Sequence, residues 1–144
     1  MKIIFFISIL ILFSGGCEEN PTSSVYSSEY QLWRSYNIHD YTIDQIRNCF
    51  CINGGQKMRV TVQSDTIFLI TRLSDSSVMP HSYFKQYLTI DSLFWIIQNS
   101  RFDSIIAAYD PEFGYPTRLD INPQLHPVDG GVMYLSSDLQ IIRK

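Results

Sequence analysis

The chain has 144 residues, 45% of them hydrophobic and 14% aromatic, with 11 basic against 14 acidic side chains and a formal net charge of −3. That length fits one domain, the composition is globular, and the acidic balance argues against nucleic-acid binding.

The N-terminus sets the expected address. Met1-Lys2 is followed by an apolar run over residues 3–13 and then by Ser14-Gly15-Gly16-Cys17. One positive charge, a short apolar core and small residues before a processing point make a secretory signal. The run is too short to span a membrane, which takes about 18 apolar residues. With its cysteine placed directly after Gly16, the segment resembles a bacterial lipoprotein signal, with Ser14 where leucine is usual. That resemblance implies diacylglycerol on Cys17, a new N-terminus there, and anchoring by several acyl chains. Loss of residues 1–16 removes Lys2 and takes the formal charge from −3 to −4. Glu18 and Glu19 then resemble a surface-export signal or serve as a solvated linker. The expected division is a signal peptide over 1–16, a lipidated tether over 17–28, and one domain over 29–144. The expected location is the bacterial cell envelope, facing the periplasm or the surface.

In the domain, residues 29–39 read as a short helix with Ser27 or Ser28 as N-cap and with Leu32, Trp33 and Tyr36 on one apolar face. Residues 41–52, 56–63 and 66–73 read as three antiparallel strands. In the second, Met58, Val60 and Val62 alternate with Arg59 and Thr61. Asn53-Gly54-Gly55 and Ser64-Asp65 are the turns between them. Residues 74–88 form a long loop with an aromatic end at Tyr83, Phe84 and Tyr87.

Thr89 caps a second helix whose buried stripe is Ile90, Leu93, Phe94 and Ile97, with Trp95 off the stripe. Strands over 103–109, 115–123 and 131–142 follow. Leu119 and Ile121 share a face opposite Arg118 and Asp120. Between the first two of these strands, Asp110 suits the first position of a turn, Pro111 pre-sets the next φ, Gly114 supplies a positive φ, and Tyr115 is held extended by Pro116. The expected fold is α+β: two helices on one face of a curved antiparallel sheet of about six strands, with a helix-plus-three-strands unit occurring twice.

The tryptophan helix, Cys49-Phe50-Cys51, Arg59-Val60-Thr61-Val62, the run Thr89–Phe94 and Tyr109–Pro116 together resemble the bacterial family of domains of unknown function numbered 6174. The resemblance covers about residues 29–139, and the hairpin segment is its most specific part. It implies a compact secreted or lipid-anchored domain and carries no activity.

Few residues suggest chemistry. Cys49 and Cys51 invite a disulfide in an oxidising compartment, although neighbours i and i+2 on a regular strand stand roughly 6.6 Å apart, at the edge of what a disulfide tolerates. A bulge would bring them closer. A packed thiol pair and a metal or redox site are the other readings of the pair. His39, His81 and His126 lie far apart in sequence, and a metal needs convergent ligands. His39 reads as a helix C-terminal cap, and His81 and His126 as exposed loop residues. No cofactor is expected. Asp110, Glu112 and Asp120 read first as turn and strand residues. The functional expectation is a non-enzymatic binding module that takes another envelope protein through Tyr83, Phe84, Tyr87 or Phe113. The alternative is a small envelope hydrolase using Asp110 and Asp120 with a histidine.

Overall fold

The structure is a computed structural model that describes residues 27–101, 103–128 and 130–143. Helix α1 (Ser28–Ser35) leads into strands β1 (Tyr41–Asn48), β2 (Lys57–Gln63) and β3 (Thr66–Arg72). Helix α2 (Ile90–Asn99) leads into β4 (Ile105–Tyr109), β5 (Pro116–Ile121) and β6 (Val132–Ile141). The strands form one open antiparallel sheet in the order β3-β2-β1-β6-β5-β4. This is the expected α+β architecture. Each half is a helix and a meander, laid along the sheet in the same sense, and the first and last strands pair at its centre.

Local chemistry accounts for the elements. The Ser27 hydroxyl accepts from the Tyr30 N–H at the start of α1, and Thr89 accepts from the Ser92 N–H at the start of α2. Ser64 and Asp65 both adopt positive φ, +48° and +62°, so the β2–β3 hairpin turns through the left-handed pair that matches strand twist. The helices cover one face of the sheet. Ile90, Leu93 and Phe94 of α2 are buried, and Trp95 stands 65% exposed, as the stripe predicted. From the sheet, Tyr41, Ile43, Met58, Val60, Val62 and Leu119 complete this core by strict alternation.

The first helix differs from expectation. Only Trp33 of its three apolar residues is buried; Leu32 and Tyr36 are 37% and 43% exposed. The Tyr36 hydroxyl instead donates to the Glu112 carbonyl at 3.0 Å, and its ring meets Phe113 with centroids 5.0 Å apart. The β4–β5 hairpin tip therefore docks on α1. Phe113 folds back, half-buried against the core.

The long loop is also more ordered than its length suggested. Val78 bridges Thr71, the Met79 N–H donates to the Ile70 carbonyl at 2.8 Å, and residues His81–Gln86 form a 3₁₀ turn. Its far end is latched by the buried Gln45, whose amide accepts from the Leu88 N–H at 3.0 Å and donates to the Leu88 carbonyl at 3.3 Å. The Ile90 N–H, an orphan donor at the start of α2, donates to the buried Tyr41 hydroxyl at 2.9 Å. The expected signal peptide over 1–16, and the expected lipidated tether over 17–28 as far as residue 26, including Cys17, lie outside the described residues.

Candidate functional site

Strand β1 ends at Asn48, four residues before the end of the predicted run. The chain turns at once, with the Cys51 N–H donating to the Cys49 carbonyl at 2.9 Å. This draws the two Cα atoms to 5.3 Å, inside disulfide range, and the structure pairs Cys49 with Cys51. The bridge thus belongs to a turn and not to a strand face, because the turn supplies the shortening that a regular strand lacks. The Arg47 guanidinium lies 3.2 Å from the Cys51 Sγ and 3.4 Å from the Gln86 Oε1, tying the turn to the 3₁₀ segment. Phe50, between the two cysteines, is 80% exposed, and Ile52 is 69% exposed. The bridge restrains the Phe50 backbone, so little backbone freedom remains to be lost on binding.

Beside this turn is a concavity of about 290 Å³ lined by Asn48, Cys49, Phe50, Gly55, His126, Gly130 and Gly131. His126 comes from the 3₁₀ turn Pro123–Val128, which follows β5. Its Nε2 lies 3.1 Å from the Oδ1 of Asp120, a close contact that is out of line for a hydrogen bond. The other oxygen of Asp120 accepts from the Arg118 guanidinium at 2.7 Å. Asp120 is buried, on the sheet face opposite the helices. His126 is therefore not the free loop residue its sequence context suggested, since the short 3₁₀ turn folds it back against β5.

The remaining sequence candidates are placed elsewhere. Asp110 serves the hairpin: its Oδ1 accepts from the N–H groups of Glu112 and Phe113 at 3.0 and 2.7 Å. Asp120 pairs across the hairpin with Ile106, so Asp110 lies four strand positions away, roughly 13 Å. The two carboxylates cannot serve one reacting centre. His39 lies beyond α1 and contacts Asp65 at 2.8 Å through Nδ1; it does not cap the helix, which ends four residues earlier. The His81 ring meets Phe84 at a tilt, with centroids 4.3 Å apart. Tyr87 is buried at 2% exposure and unavailable to a partner, because the Gln45 latch draws its neighbour onto β1. Tyr83 and Phe84 are half-buried against the same core.

A second charged cluster lies on the helix-free face. The buried Asp44 accepts from Arg59 Nε at 2.7 Å and Nη2 at 3.0 Å, and Lys57 Nζ lies 3.2 Å away. Lys57 also bonds Asp138 at 3.0 Å, which holds the lysine above its usual range and the Asp138 carboxyl below it. These charges satisfy one another and face no concavity among those described. No group of three or more metal-ligating side chains converges among the described residues.

The chemistry available at the turn is thus an aromatic and aliphatic rim, a pocket wall that is largely backbone and apolar with the Asn48 amide, and a histidine backed by a buried carboxylate. Phe50 and Ile52 were missed as surface anchors because Cys-Phe-Cys reads as strand. The Asn53-Gly54-Gly55 signal that follows, combined with a bridge two residues long, points to an earlier turn. No curated protein and no solved structure matches the chain. A family described as a family of unknown function, DUF6174, matches residues 26–141, and the chain belongs to that family.

Proposed function

We propose that this is a lipid-anchored protein of the bacterial cell envelope that acts as a non-enzymatic binding module for another envelope protein, with Phe50 as its contact anchor. The observation that carries the reading is Phe50 itself: 80% exposed, held in a disulfide-closed turn, at the rim of a concavity. Interfaces concentrate their energy in a few pre-organised aromatic side chains set beside pockets. An exposed phenylalanine adds nothing to a core and lowers solubility. The lipoprotein-like segment at Cys17 supports the anchor, and incorporation of labelled palmitate that is lost in Cys17→Ser tests it.

For the anchor residue, p-benzoylphenylalanine in place of Phe50 is irradiated in intact cells. The expected outcome is a discrete cross-linked species that the full-length wild-type chain competes away. The same probe in place of Ile106, on an edge strand, gives none. Phe50→Ser keeps the melting temperature. Absence of any competed species removes Phe50 from the account.

The hydrolase alternative rests on the 3.1 Å contact of His126 with Asp120 beside the same concavity. The concavity wall presents no hydroxyl side chain, and its one cysteine is in the bridge, so the histidine would have to act on water. Turnover of p-nitrophenyl acetate that disappears in His126→Ala would reverse the order of the two readings.

A further inference from the structure

We propose that the groove between α1 and α2 binds a neutral saccharide, with the indole of Trp95 as its stacking platform. The site is separate from the disulfide turn and does not depend on the reading given for it. The groove encloses about 610 Å³. Helix α2 presents Asp91, Trp95 and Gln98 to it, spaced four and three residues apart and therefore on one stripe. Helix α1 presents Arg34 from the other side, with its guanidinium 3.8 Å from the Asp91 carboxylate. The β2–β3 turn closes one end with Asp65.

Trp95 is the feature that the fold leaves unexplained. It is 65% exposed in the middle of a helix whose neighbouring Leu93 and Phe94 are fully buried. A broad, flat aromatic face open to a groove suits the C–H face of a pyranose ring. Polar groups around the platform match hydroxyls. A guanidinium only donates, carboxylates only accept, and the Gln98 amide does both, whereas a hydroxyl can answer each of them.

The charges argue for a neutral ligand. Asp91 already faces the Arg34 guanidinium and Asp65 is already held by the His39 ring at 2.8 Å, so a polycation would have to displace a partner from each carboxylate and a polyanion would meet an engaged guanidinium. Burial pushes the Asp91 carboxyl up, with Arg34 acting against it. A hydroxyl donating to that carboxylate would restore part of the solvation it has lost.

The test uses the full-length chain and its tryptophan emission. Trp33 is buried at 2% exposure and Trp95 is open, so a ligand on the groove moves the Trp95 component. Chitohexaose, cellohexaose and maltohexaose are titrated separately, and the chain is also applied to a printed glycan array. At least one glycan is expected to give a saturable blue shift. Trp95→Ala, which removes the reporter and is therefore read by calorimetry, should weaken its binding about tenfold or more, as loss of a central aromatic anchor does, with an unchanged melting temperature. Gln98→Ala, read by calorimetry with the same sugar, should weaken binding without touching the platform. Failure of every glycan to bind saturably overturns the proposal. So does binding that both variants leave intact, or displacement of the sugar by poly-lysine at low salt that high salt abolishes, which would make the groove a cation site.

Discussion

Gly114 shows how one residue joins two distant parts of the chain. Its φ is +78°, and a Cβ there would lie 2.4 Å from the Glu29 carbonyl oxygen and 3.2 Å from the Leu32 Cβ. Sequence reasoning supplied the first fact, because a turn after Asp-Pro needs a left-handed residue. It could not supply the second, since Glu29 belongs to a helix more than eighty positions earlier. The expected cost of substitution rises accordingly. Gly114→Ala should destabilise by about 2–4 kcal/mol, backbone strain and displacement of the hairpin from α1 acting together. Gly55→Ala isolates the strain: its φ is +75°, and the nearest atom to a Cβ is the Asn48 Oδ1 at 3.9 Å. That variant should lose only about 1 kcal/mol. Urea midpoints of the two variants decide the matter. Equal losses would mean that the docking of the tip on α1 contributes nothing.

At the scale of elements, what could be read in advance was whatever local sequence determines. The α2 stripe, its Thr89 cap, the alternation in β2 and the two-residue hairpin turn after it all follow from neighbours in the chain. The misread parts were those decided by distant contacts or by where an element stops. The face of α1 was read as three apolar residues, yet Tyr36 is claimed by Glu112, 76 positions away. Period-2 alternation puts the cysteine pair on a strand only if the strand continues, and it ends at Asn48. The loop context of Tyr87 suggests a surface position, but the Gln45–Leu88 latch, a pairing 43 positions apart, draws the adjacent residue inward. His126 met Asp120 only because a 3₁₀ turn compressed the loop after β5. The candidate site at Phe50 was invisible for the same reason as the bridge, and Trp95 was visible as an off-stripe residue whose purpose no helix pattern states.

The whole molecule is two similar halves joined through one sheet and one core. Strands β1 and β6, the first and the last, pair along seven register positions at the centre of the sheet. The main core crosses the same boundary, since Trp33, Tyr41, Ile43 and Val60 of the first half pack with Ile90, Phe94 and Tyr115 of the second. Tyr30 of α1 meets Phe94 of α2 with ring centroids 4.9 Å apart. Each half is shorter than the roughly 70 residues below which one core rarely suffices, so neither should fold alone. Divided between Leu88 and Thr89, the two fragments should nevertheless recognise each other, because the cut leaves every strand ladder intact and falls between the Leu88 pair with Gln45 and the Thr89 cap of α2. Separately expressed fragments 1–88 and 89–144 are expected to show little ordered structure by circular dichroism. When mixed, they should regain the sheet signal and one cooperative melt whose midpoint rises with concentration, as a bimolecular folded state requires. Ile43→Asp in the first fragment, which puts a charge at a fully buried position of β1, should abolish the recovery. A first fragment that melts cooperatively by itself would show instead that β1–β3 with α1 is an independent unit, and that the β1–β6 ladder joins two finished domains and not two halves of one core.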